Sequence, residues 1–191
     1  MFQNGSKESF KYLFNALVDC KQTLKHVNVQ DNKRVNASIP EFVNFIKTCT
    51  TLDYLNISDL PMTRSNCKLI AQALIESFKS GSQLKHLEWN YVLSCSPTTA
   101  QTFLSDLSAA LKSLPKVTLE KVSMSGIFQL KENRDKVRDL FKAAGLNVQL
   151  ELFKPDYTDD ESEDHDCTED ESQEGDDEGK VSADDDDNAE N

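Results

Sequence analysis

The sequence predicts an α/β fold built from one repeated unit, and three observations carry that prediction. Apolar residues with the spacing L-x-x-L-x-L occur four times: Leu24, Val27 and Val29; Leu52, Leu55 and Ile57; Leu84, Leu87 and Trp89; Leu119, Val122 and Met124. A run with helical apolar periodicity stands before each of them. The first anchors are separated by 28, 32 and 35 residues, which leaves room for one short strand and one full helix per copy. Strands stacked in parallel, with their helices on the other side, make a leucine-rich repeat solenoid of the ribonuclease-inhibitor-like kind, strand plus helix per repeat.

The elements follow in order. The first unit, residues 7–32, opens with Phe10, Leu13, Phe14, Leu17 and Val18 at helical spacing, turns over 19–23 and enters its strand. The second opens with Ser38-x-x-Glu41, a capping-box pattern, before Phe42, Val43, Phe45 and Ile46. Leu69, Ile70, Ala73, Leu74 and Phe78 form the apolar stripe of the third helix. Ser96-Pro97 places a cap residue and then proline at the first helical position ahead of Phe103, Leu104, Leu107 and Leu111. A last helix over 131–144, with Val137, Leu140 and Phe141, stops at Gly145, a natural left-handed cap. Leu146, Val148, Leu150 and Leu152 then alternate as a closing strand.

Charge divides the chain. From Pro155 onward 19 of the 33 acids stand against the single Lys180, leaving 14 acids and 20 of the 21 bases for residues 1–154, a net of +6. Tyr157, Cys167 and Val181 are the sizeable apolar residues of that stretch, too few to offset an ordering cost of roughly 1 to 2 kcal/mol per residue. The predicted organisation is a leucine-rich repeat domain over 1–154, about four repeats, and a disordered acidic tail over 155–191. The N-terminus lacks a basic-then-apolar leader and no apolar run nears the roughly 20 residues of a membrane span, which predicts a protein of the cell interior. Five cysteines without a C-x-x-C pair predict neither disulfide framework nor zinc site, and Cys20 and Cys49 read as small buried residues of the turns. Met1 and Asn4 have the spacing of Val29 and Asn32, so the chain is expected to begin inside a repeat, either as the C-terminal part of a longer array or as a gene product whose start falls oddly.

Residues between the anchors are predicted to face the helix-free side of the sheet: His26, Asn28 and Gln30; Tyr54, Asn56 and Ser58; His86, Glu88 and Asn90; Lys121, Ser123 and Ser125. Asp31, Asp59, Tyr91 and Gly126 come next in register and form its rim. Such a polar row suits recognition of another macromolecule. No nucleophile elbow, phosphate-binding glycine loop or H-E-x-x-H motif accompanies it, so the reading is a binding protein without catalytic residues, metal or cofactor of its own. His26 and His86 lie two repeats apart, too far to share a metal, and Trp89, on an anchor register, reads as core.

Met1-Phe2-Gln3-Asn4-Gly5, followed one repeat later by Val27-Asn28-Val29-Gln30-Asp31-Asn32, resembles the C-terminal half of the leucine-rich domain of Ran GTPase-activating proteins. The order of elements is similar too: a charged helix after the last repeat, then an acidic tail. Leu60, Val92 and Ile127 depart from the pattern, standing where a repeat asparagine is usual. The resemblance implies a regulator of nucleocytoplasmic transport, cytoplasmic with perinuclear or nuclear placement as the alternative, that docks on GTP-bound Ran, has Ran-binding proteins as further candidate partners, and has no active site of its own. It implies activation by fixing Ran's own catalytic groups rather than by inserting an arginine. The family's N-terminal repeats have no counterpart here, so no catalytic residue carries over; Asn4, Asp31, Asn32 and Asp59 map as candidate contacts to Ran. The competing expectation, from another class, is a leucine-rich binding module whose acidic tail shields basic proteins such as histones. Neither nucleic acid nor membrane enters either reading.

Overall fold

The structure, a computed structural model, describes residues 7–91, 96–128 and 130–153. The chain divides into two units, Met1–Tyr157 and Thr158–Asn191, and the described residues all belong to the first. The expectations for Met1 to Asn4, for Val92, Cys95 and Cys167, and for the acidic tail lie outside the described residues.

Among the described residues five short strands alternate with five α-helices: α1 (Lys7–Asp19), β1 (His26–Asn28), α2 (Ile39–Thr48), β2 (Tyr54–Asn56), α3 (Arg64–Lys79), β3 (His86–Glu88), α4 (Pro97–Lys112), β4 (Lys121–Ser123), α5 (Lys131–Ala143) and β5 (Gln149–Glu151). The strands form one parallel sheet in the order β1-β2-β3-β4-β5. The fold is α/β, as the sequence predicts. Parallel neighbours need a crossover, and the helix within each repeat supplies it.

Register follows the apolar anchors. Val27, Leu55, Leu87, Val122 and Leu150 stand opposite one another across the sheet. With the anchors on either side they join the helix stripes in one continuous core, which includes Phe10, Phe14, Phe42 and Phe45 at one end and Trp89 with Phe103 further along. The Trp89 and Phe103 rings meet edge to face with centroids 5.3 Å apart. Pairing continues past each strand: Val29 N donates to the Asn56 carbonyl, Ile57 N to Glu88, Trp89 N to Ser123 and Met124 N to Glu151. Among the described residues no helix is long and apolar enough to cross a membrane.

Local details depart from the sequence pattern in four places. Ser38 is the N-cap of α2, but its side chain makes no capping bond. A 3₁₀ turn over Val35–Ser38 runs straight into the helix, Pro40 brings no N–H that needs an acceptor, and Glu41 reaches sideways to Lys11 at 3.9 Å. Leu69 is exposed, because it stands about 100° round the helix from Ile70, away from the buried Cys67, Ala71, Leu74 and Phe78. Leu140 is exposed as well: α5 packs against α4, and its buried stripe narrows to Val137 and Phe141.

Cys20 is the fourth departure: it is exposed in the turn after α1, whereas Cys49 and Cys67 are buried. Burial pushes the Cys49 thiol up, outweighing its hydrogen bond with Thr51 and the charge of Lys21. Thiol alkylation under native conditions, mapped by mass spectrometry, is therefore expected to modify Cys20 and leave Cys49 and Cys67 unmodified until the chain unfolds. Equal labelling of Cys20 and Cys49 would contradict the packing of that turn.

Candidate partner-binding face

The side chains that alternate with the anchors stand on the other face of the sheet, and they form three rows across it. His26, Tyr54, His86, Lys121 and Gln149 share the first register; Asn28, Asn56, Glu88, Ser123 and Glu151 share the second. Gln30, Ser58, Asn90 and Ser125 follow as the third row. Lys121 of the first row meets Glu151 of the second at 2.8 Å, and the His86 ring lies 3.5 Å from Glu120, the residue before β4. At the entry edge Asp53 sits between Lys25 and Lys85, at 3.8 and 3.5 Å.

The third row turns the chain, and its N–H groups need acceptors. In the first two copies a strand-end asparagine provides one: Asn28 Oδ1 accepts from Gln30 N and Asn56 Oδ1 from Ser58 N, each at 2.9 Å. Glu88 and Ser123 replace that asparagine in the next two copies, and there the preceding repeat supplies the acceptor. Ser58 Oγ accepts from Asn90 N at 3.0 Å, and Asn90 Oδ1 accepts from Ser125 N at 2.7 Å and from Ser123 Oγ at 2.9 Å. Asn56, Ser58 and Ser123 are consequently buried, so this part of the row is scaffold.

Asn56 is the centre of a network across three strands. Its Nδ2 donates to Gln30 Oε1 at 3.2 Å and to Glu88 Oε2 at 3.0 Å, while Gln30 Nε2 donates to Asp59 Oδ2 at 2.9 Å. Tyr54 stands beside it. Burial raises the Tyr54 hydroxyl above its ordinary range, with Asn56 opposing and the Glu88 carboxylate adding to the rise, so the phenol stays protonated and can donate.

The rim carries a backbone signature. Among the described residues Asp31, Asp59 and Tyr91 are the non-glycine residues with positive φ, at 55°, 55° and 53°, and Gly126 holds the same register at 81°. Each N–H continues the ladder, Asp31 to the Ser58 carbonyl, Asp59 to Asn90, Tyr91 to Ser125 and Gly126 to Phe153. Aspartate tolerates the left-handed region through its short polar side chain; tyrosine there is a true outlier, held by its neighbours. Its ring lies over Gly126, where an added Cβ would come within 2.6 Å of Tyr91 Cδ1. Tyr91 and Phe153 remain exposed on this edge.

Of the mapped contacts, Asp31 and Asp59 are brought onto one rim, 28 residues apart in sequence and one repeat apart in space. Asp31 is exposed and its carboxylate has no partner among the described residues. Asn32 differs: its Nδ2 donates to the Val29 and Gln30 carbonyls, at 2.9 and 3.1 Å, which ties it into the turn. Asn4 lies outside the described residues. Leu60 and Ile127, at the Asn32 register in later copies, are core residues.

One recurrent polar residue escapes the apolar pattern. Threonine precedes the first anchor in three copies, at Thr23, Thr51 and Thr118. Thr51 Oγ1 donates to the Lys21 and Leu24 carbonyls, and Thr118 Oγ1 to those of Ser82 and Leu84 at 3.1 and 3.2 Å, each bolting one repeat to the one before. The dipeptide Thr-Leu was the signal for it. No protein-family model matches this chain, and no curated protein matches it significantly.

Proposed function

We propose that this chain is a leucine-rich repeat solenoid of the Ran GTPase-activating lineage, which engages GTP-bound Ran across the polar face of its sheet. It carries no active site of its own; the family accelerates hydrolysis by holding Ran's own groups in place, and this chain, a truncated member, supplies the docking surface of the C-terminal repeats. The observation that carries the reading is the rim, where Asp31, within the stretch that resembles the family, and Asp59, one repeat later, share register and backbone conformation. An extended polar surface with one free and one lightly held carboxylate suits a basic partner surface.

Area supports the inclusion of the rim. Five strands at about 4.8 Å spacing span roughly 20 Å, and three residues along each strand add about 10 Å. That product is well short of the roughly 800 Å² per partner of a standard interface, so docking must extend onto the edge that carries Asp31, Asp59 and Tyr91.

Titration with Ran loaded with a non-hydrolysable GTP analogue or with GDP tests the proposal. The GTP form is expected to bind selectively. Asp31→Asn with Asp59→Asn is expected to weaken that complex by about 1 to 3 kcal/mol and to flatten its salt dependence. Asparagine accepts positive φ, so circular dichroism should show the fold retained. Equal affinity for the two nucleotide states, or a preference for histones, would reject the assignment.

A further inference from the structure

The helices leave one seam open on the opposite side of the sheet. Lys11 and Glu41 bridge α1 to α2, and Lys47 meets Glu76 at 2.7 Å between α2 and α3, where Asn66 Nδ2 also donates to Asn36 Oδ1 at 3.1 Å. Among the described residues no ion pair joins α3 to α4, and a groove of about 1090 Å³ runs between them. It is lined from Arg64 to Lys79 on α3, fifteen helical steps or about 22 Å, which is the reach of roughly seven residues of extended chain. Ala71 and Ala110 bring only methyl groups to the seam and, with Ile75 and Phe103, give it an apolar floor.

The walls are cationic. Arg64, Lys68 and Lys79 line the groove against a single carboxylate, Asp106. Lys79 lies within the influence of Glu76, whereas Arg64 and Lys68 have no ion-pair partner among the described residues. Both stand at the beginning of α3, and neither α3 nor α4 carries an acid in its first turn to offset the positive end of its dipole. The groove offers no row of aromatic side chains on which the bases of a nucleic acid could stack.

We propose that the α3–α4 groove docks an extended acidic peptide of a partner protein, its carboxylates against Arg64 and Lys68 and an apolar side chain on the floor between Ala71 and Phe103. This surface is separate from the polar face, and the two can be occupied together. The test is fluorescence anisotropy of a fluorescein-labelled acidic heptapeptide with a central leucine, titrated with the full chain at low salt. Arg64→Gln with Lys68→Gln is expected to weaken binding about tenfold and to flatten its salt dependence, while Lys33→Gln with Lys136→Gln leaves it unchanged. Ala109→Trp, which fills the groove from an exposed position on α4, is expected to abolish binding with helix content retained. The proposal is overturned if either groove variant binds like the parent, if replacing the leucine with glutamine changes nothing, or if a single-stranded oligonucleotide binds more tightly and is lost in the same variants.

Discussion

Trp89→Ala is expected to cost about 3 to 5 kcal/mol of folding stability, read as a fall in the urea midpoint at unchanged slope. The indole is 1% exposed and packs edge to face on Phe103, so truncation removes its contacts and leaves a cavity between strand and helix. Trp89→Phe is expected to cost under about 1.5 kcal/mol. Its smaller effect has a specific cause: Nε1 of Trp89 is buried and without a hydrogen-bond partner among the described residues, and phenylalanine removes that unsatisfied donor along with the lost volume. Because Glu88 and Asn90 flank Trp89, the alanine variant should also loosen the polar face and weaken its partner. An alanine variant within about 1 kcal/mol of the parent would contradict the packing described.

Asn56→Ala is expected to cost about 2 to 4 kcal/mol and to reduce partner binding in the same variant. The side chain is 4% exposed and makes three hydrogen bonds, to Ser58 N, Gln30 and Glu88. Truncation leaves a buried N–H without its acceptor and a carboxylate without its donor, and water cannot easily replace either. Asn28→Ala removes the equivalent turn bond to Gln30 N, but at an exposed position where solvent can take over. Equal losses for the two variants would show that burial of the network is not what makes Asn56 costly.

The polar face also shows where pattern reading stopped. Alternation assigns a residue to one side of a strand, and it assigned all three rows correctly. It says nothing about whether a side chain on that side is available. Ser58 and Asn90 are each spent on the turn of the next copy, because Glu88 and Ser123 stand where an asparagine does this locally in the first two copies. Asn32, read as a contact, is held by two carbonyls of its own turn, whereas Asp31 in the adjacent position has no side-chain partner among the described residues. The difference lies in which backbone groups a tight turn leaves unpaired, and no single-residue pattern encodes it.

By itself the sequence determined the sheet and its helices. Anchors such as Val27, Leu55, Leu87 and Val122 must all be buried on one side, and residue spacings of 28, 32 and 35 admit one helix between them, so parallel pairing in register follows from local periodicity. The closing strand was legible for the same reason, with Leu150 completing the row. Tertiary structure alone decided the exposure of Leu69, Leu140 and Cys20, the missing capping bond at Ser38 and the open seam between α3 and α4. Each depends on what a neighbouring element offers: a second helix to bury against, a preceding 3₁₀ turn, or facing side chains too small to close a gap. Periodicity reports the direction a residue points along its own helix or strand, and only packing supplies what stands there to meet it.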